Sequence, residues 1–378
     1  MKYEKEIERG SILKIAYIIT LPDLGGAQSH VYELMKNIRD MYHVTPVLII
    51  GKRGWLTEKA EDMQIETHIV PDLVREISPI HDFMANIAIQ KLLQKIQPDI
   101  VHCHSSKAGI IGRWAAKRCH IPAIFTAHGW AFTEGVPENK RKIYRFIEKM
   151  AGTWCKKIIC VSDYDKNLAM REIPKLSNKL ITVHNCIPDT KYRKNWNEYN
   201  EANPLQIITV ARFSPQKKIK ETLQILAESL KRQMAIHITF IGDGPQFNEF
   251  VNYAKELHLE NNVTFLGART DVEKLLPQFD LFLLLSNWEG FPISIIEAMR
   301  AGLPVMASDV GGVKEAVIHG ENGWLIPRDD STAIEILENI LKNKKCLIQS
   351  AQNARCSYEQ RFTIDHMVKK IVGKVYDI

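Results

Sequence analysis

Apolar runs of five to eight residues alternate with amphipathic stretches along nearly the whole chain, and this rhythm limits the possible folds more than any other feature. Runs at residues 12–20, 44–50, 65–70, 98–103, 122–127, 157–162 and 180–184 are predicted strands. Helical patterns fall between them near 26–40, 80–97, 107–118, 138–155 and 163–172. Within the runs hydrophobicity is continuous rather than alternating, so both strand faces must be covered, as in a parallel sheet with crossover helices. The rhythm stops at residues 187–204, a polar, Asn-rich stretch bounded by prolines that reads as a linker. It resumes with strands at 205–211, 236–241, 263–266, 280–285 and 304–307 and helices at 217–232, 245–258, 292–301 and 330–342, and a last helix is expected over 358–376.

The expected architecture is therefore α/β, with two doubly wound Rossmann-like domains facing across a cleft. One spans 1–190, a linker 191–204, and the second 205–357. At 378 residues with 45% hydrophobic and 25% charged content, each half can bury its own core. Ligands of such sheets bind beyond the carboxyl ends of the strands.

Several function classes are excluded at this point. The first apolar run is interrupted by Lys14 and lacks a small-residue cleavage site, and no later run reaches the length of a membrane span, so a cytoplasmic protein is expected. Seven scattered cysteines without a Cys-x-x-Cys pair argue for free thiols rather than disulfides or a structural zinc. Residues 1–190 hold 27 Lys and Arg against 21 Asp and Glu, while 191–378 hold 23 of each. Part of that excess lies at 138–157, where Lys140, Arg141, Lys142, Arg145, Lys149, Lys156 and Lys157 accompany Ile143, Phe146, Ile147 and Met150 at helical spacing. This is either a solvated helix face or a peripheral contact with an anionic membrane or an acidic lipid-linked acceptor, on the inner face of the cell membrane. No aromatic-basic strand pattern or helix-turn-helix supports nucleic-acid binding. Oligomeric state is not legible.

The most specific motif runs from Asn287 through Trp288, Glu289, Gly290, Phe291, Pro292 and Ile293 to Glu297, after the buried run 280–285. Pro292 suits a first helical turn. Glu289 is then held in the loop, Glu297 projects from the helix, and the free N–H groups of the first turn offer an anion site between them. A nucleoside diphosphate fits such a set, although either Glu alone reads as a solvent-facing residue. Arg212 and Lys217 flank a Pro-containing turn after the first strand of the second half, which is either a basic surface turn or a place where guanidinium and ammonium grip phosphate oxygens. Gly25 and Gly26 open the first helix but form neither a dinucleotide fingerprint nor a P-loop. Gly242 and Gly244 close a strand, where they either form an ordinary turn or also border the nucleotide. His128 ends a strand, where it can meet a sugar hydroxyl or be structural, and His104 and Trp130 are acceptor-side candidates. Asp163 and Asp165 match a metal-transferase Asp-x-Asp, yet Ser162 or Asp163 would also cap the helix there. His102 and His104 share a strand face, but no third ligand is evident, so no metal is expected.

With these segments in place, the whole chain resembles the family 4 retaining glycosyltransferases of GT-B fold, in particular the bacterial exopolysaccharide and capsular polysaccharide branch. Gly25-Gly26, His104 to Gly109, Thr126 to Gly129, Arg212 with Lys217, Glu289 with Glu297, and Ser308 to Gly312 carry the resemblance. It implies sugar transfer from a nucleotide-sugar, a UDP-sugar by preference, with Arg212 and Lys217 on the diphosphate and Glu297 on the ribose. Glu289 would contact the donor sugar, His128 its 6-position, and Gly26 the phosphates or acceptor. No cofactor or metal is implied, and helix 358–378 would return to the N-terminal domain. Two positions depart from the pattern. Lys218 replaces a glycine and would alter nucleotide preference, and Asn185-Cys186 replaces Asn-Gly. A sugar-nucleotide epimerase, a phosphorylase and a non-catalytic nucleotide-sugar-binding protein are the alternatives. An epimerase would convert donor without acceptor, and a phosphorylase would need a pyridoxal-phosphate lysine that is not identifiable.

Overall fold

A computed structural model describes residues 13–377, so the charged opening segment lies outside the described residues. The chain divides into two compact units, Met1–Cys186 with Ile364–Ile378, and Ile187–Thr363. Residues 187–204, expected as a linker, thus belong to the second unit. The stretch is not free because its side chains are anchored there. Trp196 donates its indole N–H to Gly302 O at 2.8 Å, and Lys194 pairs with Asp280 at 2.9 Å.

The first unit is built on a seven-stranded, wholly parallel sheet: β1 (Lys14–Ile19), β2 (Thr45–Ile50), β3 (Glu66–Ile69), β4 (Ile100–His104), β5 (Ala123–Ala127), β6 (Lys157–Cys160) and β7 (Leu180–Thr182). Their order is β3-β2-β1-β4-β5-β6-β7. The second unit has six parallel strands: β8 (Leu205–Val210), β9 (Ile236–Ile241), β10 (Val263–Phe265), β11 (Leu281–Leu284), β12 (Val305–Ser308) and β13 (Gly323–Ile326), ordered β10-β9-β8-β11-β12-β13. Continuous burial of strands such as β4 and β11 follows from helices on both faces, as their unbroken hydrophobicity requires. Strand order reverses between β1 and β4 in one sheet and between β8 and β11 in the other. A crevice opens at each reversal, beyond the carboxyl ends of the strands.

Several elements depart from the sequence reading. β13, the helices Trp55–Asp62, Val272–Leu275 and Val313–Ala316, and most of the helix Lys345–Arg361 were not anticipated. The single last helix expected over 358–376 is instead the end of Lys345–Arg361 followed by a separate helix Ile364–Ile371 and a closing turn Val372–Tyr376. Phe362 is fully buried at the break, where its backbone carbonyl accepts from Ile187 N. The second piece packs on the helix Gly26–Tyr42 of the first unit. All seven cysteines are free thiols.

Candidate functional site

In the second unit the residues of interest stand at the β8/β11 reversal. The loop after β8 is laced to the loop after β11 by backbone: Lys217 bridges to Ser286, Lys218 N donates to Leu285 O at 3.1 Å, and Asn287 N to Gln216 O at 2.9 Å. This fixes Lys217 against Glu289, and the two form an ion pair with side chains only 13% and 6% exposed. Ser286 donates its hydroxyl to Glu289 Oε1 at 2.6 Å, and Gln216 reaches Oε2 at 3.3 Å and Trp288 O at 2.8 Å. Glu289 is therefore held by three side chains. Arg212 is the contrast: it is exposed and has no hydrogen bond or ion pair among the described residues.

Two glycines make this crowding possible. Gly311, at φ +57°, passes so close that a Cβ would lie 1.8 Å from Glu289 O, and Gly312 N donates to Gly290 O at 3.0 Å. Gly242, at φ +138°, would place a Cβ 2.0 Å from Ala211 O, so the strand-end turn nests beside Arg212. Gly244 continues that turn, its N–H bound to Asp243 Oδ1 at 2.7 Å.

The helix Ile293–Arg300 starts with no side-chain cap and no acid in its first turn, leaving its amides open. Pro292 is extended at the cap (ψ 121°) and precedes the helix rather than opening its first turn. Phe291 is buried against Phe362, with ring centroids 5.6 Å apart, and so anchors the loop while Gly290 and Ile293 line it. Glu297 is partly buried with no hydrogen bond or ion pair among the described residues; burial raises its carboxyl above the usual range, Arg300 opposing this and Glu273 adding to it. It is a carboxylate free to accept from a diol. Lys218, expected to alter nucleotide preference, turns instead to Asp330 at 2.7 Å, and its charge is neutralised within the unit.

In the first unit, four histidines gather where β1, β4 and β5 end. His102 is satisfied on both nitrogens, Nδ1 lying 2.6 Å from Tyr376 OH and Nε2 2.8 Å from Thr126 Oγ1. The last turn of the chain thus seals this core, with Tyr376 also 3.2 Å from Tyr17 OH. His104 Nδ1 lies 3.1 Å from His128 Nε2, and His30, one turn into the helix after Gly25-Gly26, stands edge-on to His128 at 4.9 Å between centroids. Burial lowers His30 to about 4 and holds His102, His104 and His128 well below the usual imidazole range, so all four are neutral at neutral pH. The helix Gly26–Tyr42 begins without side-chain cap or acid, its first residues beside this cluster.

Two acceptor-side expectations fail here. Trp130 is buried in the core, stacked on Phe132 at 5.0 Å and donating to Asp165 O at 2.9 Å, because its indole finds both apolar neighbours and an acceptor inside. His104 is completely buried and touches His128 rather than an open surface. The expectation that no third histidine joins the pair on β4 also fails: His30 and His128 approach His104, whereas His102 is fully engaged elsewhere. Ser162 does cap its helix, accepting from Asp165 N at 3.0 Å, and Asp163 accepts from Thr182 Oγ1 at 2.5 Å. Sequence reasoning missed His30, Ser286 and Gln216. His30 alone left a signal, since it shares its helix face with Val31, Leu34, Met35 and Ile38.

Comparison with known proteins decides the family. The Glycosyltransferase Family 4 profile matches residues 24–191, and the Glycosyl transferases group 1 profile matches 190–358. The UDP-Gal:alpha-D-GlcNAc-diphosphoundecaprenol alpha-1,3-galactosyltransferase of Escherichia coli is 30% identical, over 97% of this chain and 98% of its own. The chain belongs to the family 4 glycosyltransferases. N-acetyl-alpha-D-glucosaminyl L-malate synthase of Bacillus anthracis is 26% identical, over 97% of each chain. Among solved structures, Anabaena HepE in complex with UDP superposes with TM-score 0.80 at 20% identity, over 97% of this chain and 100% of that one. Sucrose-phosphate synthase from Thermosynechococcus elongatus gives TM-score 0.80 at 16% identity, over 97% and 98%. The fold of this glycosyltransferase is GT-B. No helix among its described residues is long and apolar enough to cross a membrane.

Proposed function

We propose that this glycosyltransferase moves a hexosyl group from a UDP-sugar to a lipid-linked saccharide during surface polysaccharide synthesis, with retention at the anomeric carbon and no metal ion on the diphosphate. The observation that carries the reading is the unpartnered Arg212 beside the Lys217–Glu289 pair, at the strand reversal of the second unit. A diphosphate supplies the partner that Arg212 lacks and takes Lys217 over from Glu289. Uncapped amides after Pro292 complete the anion site, and Glu297 accepts from the ribose diol. His128 meets the 6-position of the donor sugar, and Gly25 and Gly26 approach the phosphates or acceptor.

In the transfer, the bond from the anomeric carbon to the diphosphate oxygen breaks as the acceptor oxygen bonds to that carbon on the same face. The acceptor's proton passes to the departing phosphate oxygen. Fixed cations stabilise the charge growing on that leaving group; removing one such group costs about 3–4 kcal/mol, or 10²–10³ in rate. Ser286 and Gln216 still hold both oxygens of Glu289 once Lys217 turns to the diphosphate, which favours a sugar-orienting role over attack on the sugar.

The family relative named for a diphosphoundecaprenol substrate supports a lipid-linked acceptor. So does the helix Glu138–Ala151, which leaves Ile143 59% and Phe146 68% exposed beside Lys140, Lys142 and Lys149. It and the helix Pro79–Ile96, with exposed Ile80 and Phe83, both pack on the helix Ser106–Arg118, so the two apolar faces belong to one layer. We place that layer on an anionic bilayer.

The deciding assay incubates the protein with UDP-sugars and a polyprenyl-diphosphate saccharide in EDTA. Transfer with retained configuration is expected. Turnover that vanishes in EDTA and returns with magnesium or manganese overturns the metal-free reading, and a trapped glycosyl-Glu289 adduct overturns the direct one. Flotation with anionic liposomes should weaken in Lys140/Lys142/Lys149→Ala; equal flotation removes the membrane contact.

A further inference from the structure

We infer that His30, His104 and His128 form a binding site for a single zinc-like divalent ion in the first unit, separate from any role on the diphosphate. One nitrogen from each ring lies within 4.8 Å of the other two. A zinc–nitrogen bond of about 2.0–2.1 Å places ligand nitrogens ~3.4 Å apart. The His104–His128 approach of 3.1 Å already matches that spacing, and side-chain rotation closes the rest.

The protons also favour an ion. His30 Nδ1 is 3.1 Å from Asn185 Oδ1, an oxygen that only accepts, so the proton sits on Nδ1 and Nε2 presents a bare lone pair. That His30 Nε2 is buried and has no hydrogen-bond partner, while His104 ligates through Nδ1 and keeps its proton on Nε2. The neighbouring His102 is satisfied on both sides by Tyr376 and Thr126, so this core does pair an imidazole where pairing is all that is needed. A ring oriented by a hydrogen-bonded carbonyl on one nitrogen, with its other nitrogen empty and buried, is how metal-bound histidines are held. All three rings are neutral at neutral pH, as ligands must be.

Three imidazoles without a carboxylate select zinc, copper, nickel or cobalt over magnesium, manganese or calcium. His128 alone is partly exposed, which gives the ion an entry and leaves a fourth position open. If His128 meets the donor sugar as proposed above, a bound ion occupies it and zinc inhibits transfer, while EDTA restores it. That consequence rests on the proposed function; the binding itself does not.

The test uses the untagged full chain, stripped by chelator and titrated with Zn²⁺ by calorimetry and with Co²⁺ by visible absorption. One equivalent is expected, with a Co²⁺ spectrum lacking the near-ultraviolet band of a thiolate ligand. His30→Gln and His128→Gln should each weaken binding more than a hundredfold, and Asn185→Ala roughly 10–100-fold, because it frees the His30 ring from the oxygen that orients it. The melting temperature of each stripped variant reports whether it folds; His128, at the edge of the cluster, keeps the test decisive if His30→Gln fails. Unchanged affinity in a folded histidine variant, a thiolate band, or no binding at ~100 μM overturns the site, whatever the transfer assay shows.

Discussion

Arg212 and Lys217 carry like charge on one loop and are assigned the same diphosphate, yet their surroundings predict opposite costs of removing them. Lys217→Ala strands the Glu289 carboxylate, 6% exposed, with only the Ser286 hydroxyl and the Gln216 amide. Breaking a buried ion pair from one side costs about 3–5 kcal/mol. Two surviving donors and the 13% exposure of Lys217 reduce that to about 2–3 kcal/mol. Arg212 is exposed and unpartnered, so Arg212→Ala should stay within about 0.5 kcal/mol of the parent. Both variants should lose 10²–10³ in turnover if both cations hold the departing diphosphate as proposed. The double variant Lys217→Ala/Glu289→Ala should recover most of the lost stability and none of the activity. Urea unfolding of the second unit and initial rates of sugar transfer read the two quantities apart. If Lys217→Ala is as stable as the parent, or Arg212→Ala loses more than about 2 kcal/mol, the pairing described here is not the one in solution.

In the first unit, Arg113 donates to Glu148 at 2.8 Å and to Gly109 O at 2.6 Å, wholly buried over the Phe125 ring. Glu148→Ala leaves that guanidinium unpaired and should cost about 3–5 kcal/mol, lowering the melting temperature by roughly 10 °C; a shift under about 3 °C refutes it. Arg355 holds the Asp189 carboxyl down to about 2 by hydrogen bonding. Its folded value lies below the ordinary one, so its contribution is present above pH 3.8 and disappears as pH falls through 2. The stability gap between the parent and Asp189→Asn should therefore close over that acid range and stay constant from pH 5 to 8. Glu297 runs the other way: its raised carboxyl makes ionisation unfavourable to folding above the usual carboxylate range. Glu297→Gln should match or exceed the parent's melting temperature at pH 7 while weakening UDP about tenfold, and a destabilised variant with full affinity contradicts the ribose role.

What could be read from sequence followed a physical boundary. Strands covered on both faces, such as β4 and β11, announce themselves as unbroken apolar runs; β13 does not, since Gly-Trp-Leu-Ile is four residues with a glycine at its start. The break at Phe362 was hidden because an amphipathic period continues through it, and only the burial of that ring shows the chain turning. The charged residues after β8 and β11 were legible because strand ends in doubly wound sheets are where polar groups converge on ligands. Their mutual pairing was not legible, because the contact between Lys217 and Glu289 depends on the bridge to Ser286 and on a passing Gly311 far along the chain. Trp130 misled for the complementary reason: two residues after His128 in sequence, it is buried in the core and bonds to Asp165 O. His30 shows the same limit from the other side. Its spacing marks it as a core-facing helix residue, which is correct, but not that the core there consists of three more imidazoles, with Nε2 of His30 and of His104 left without hydrogen-bond partners. Local pattern thus gives the face a side chain occupies, and tertiary packing decides whether that face is apolar core or a set of nitrogens able to bind an ion.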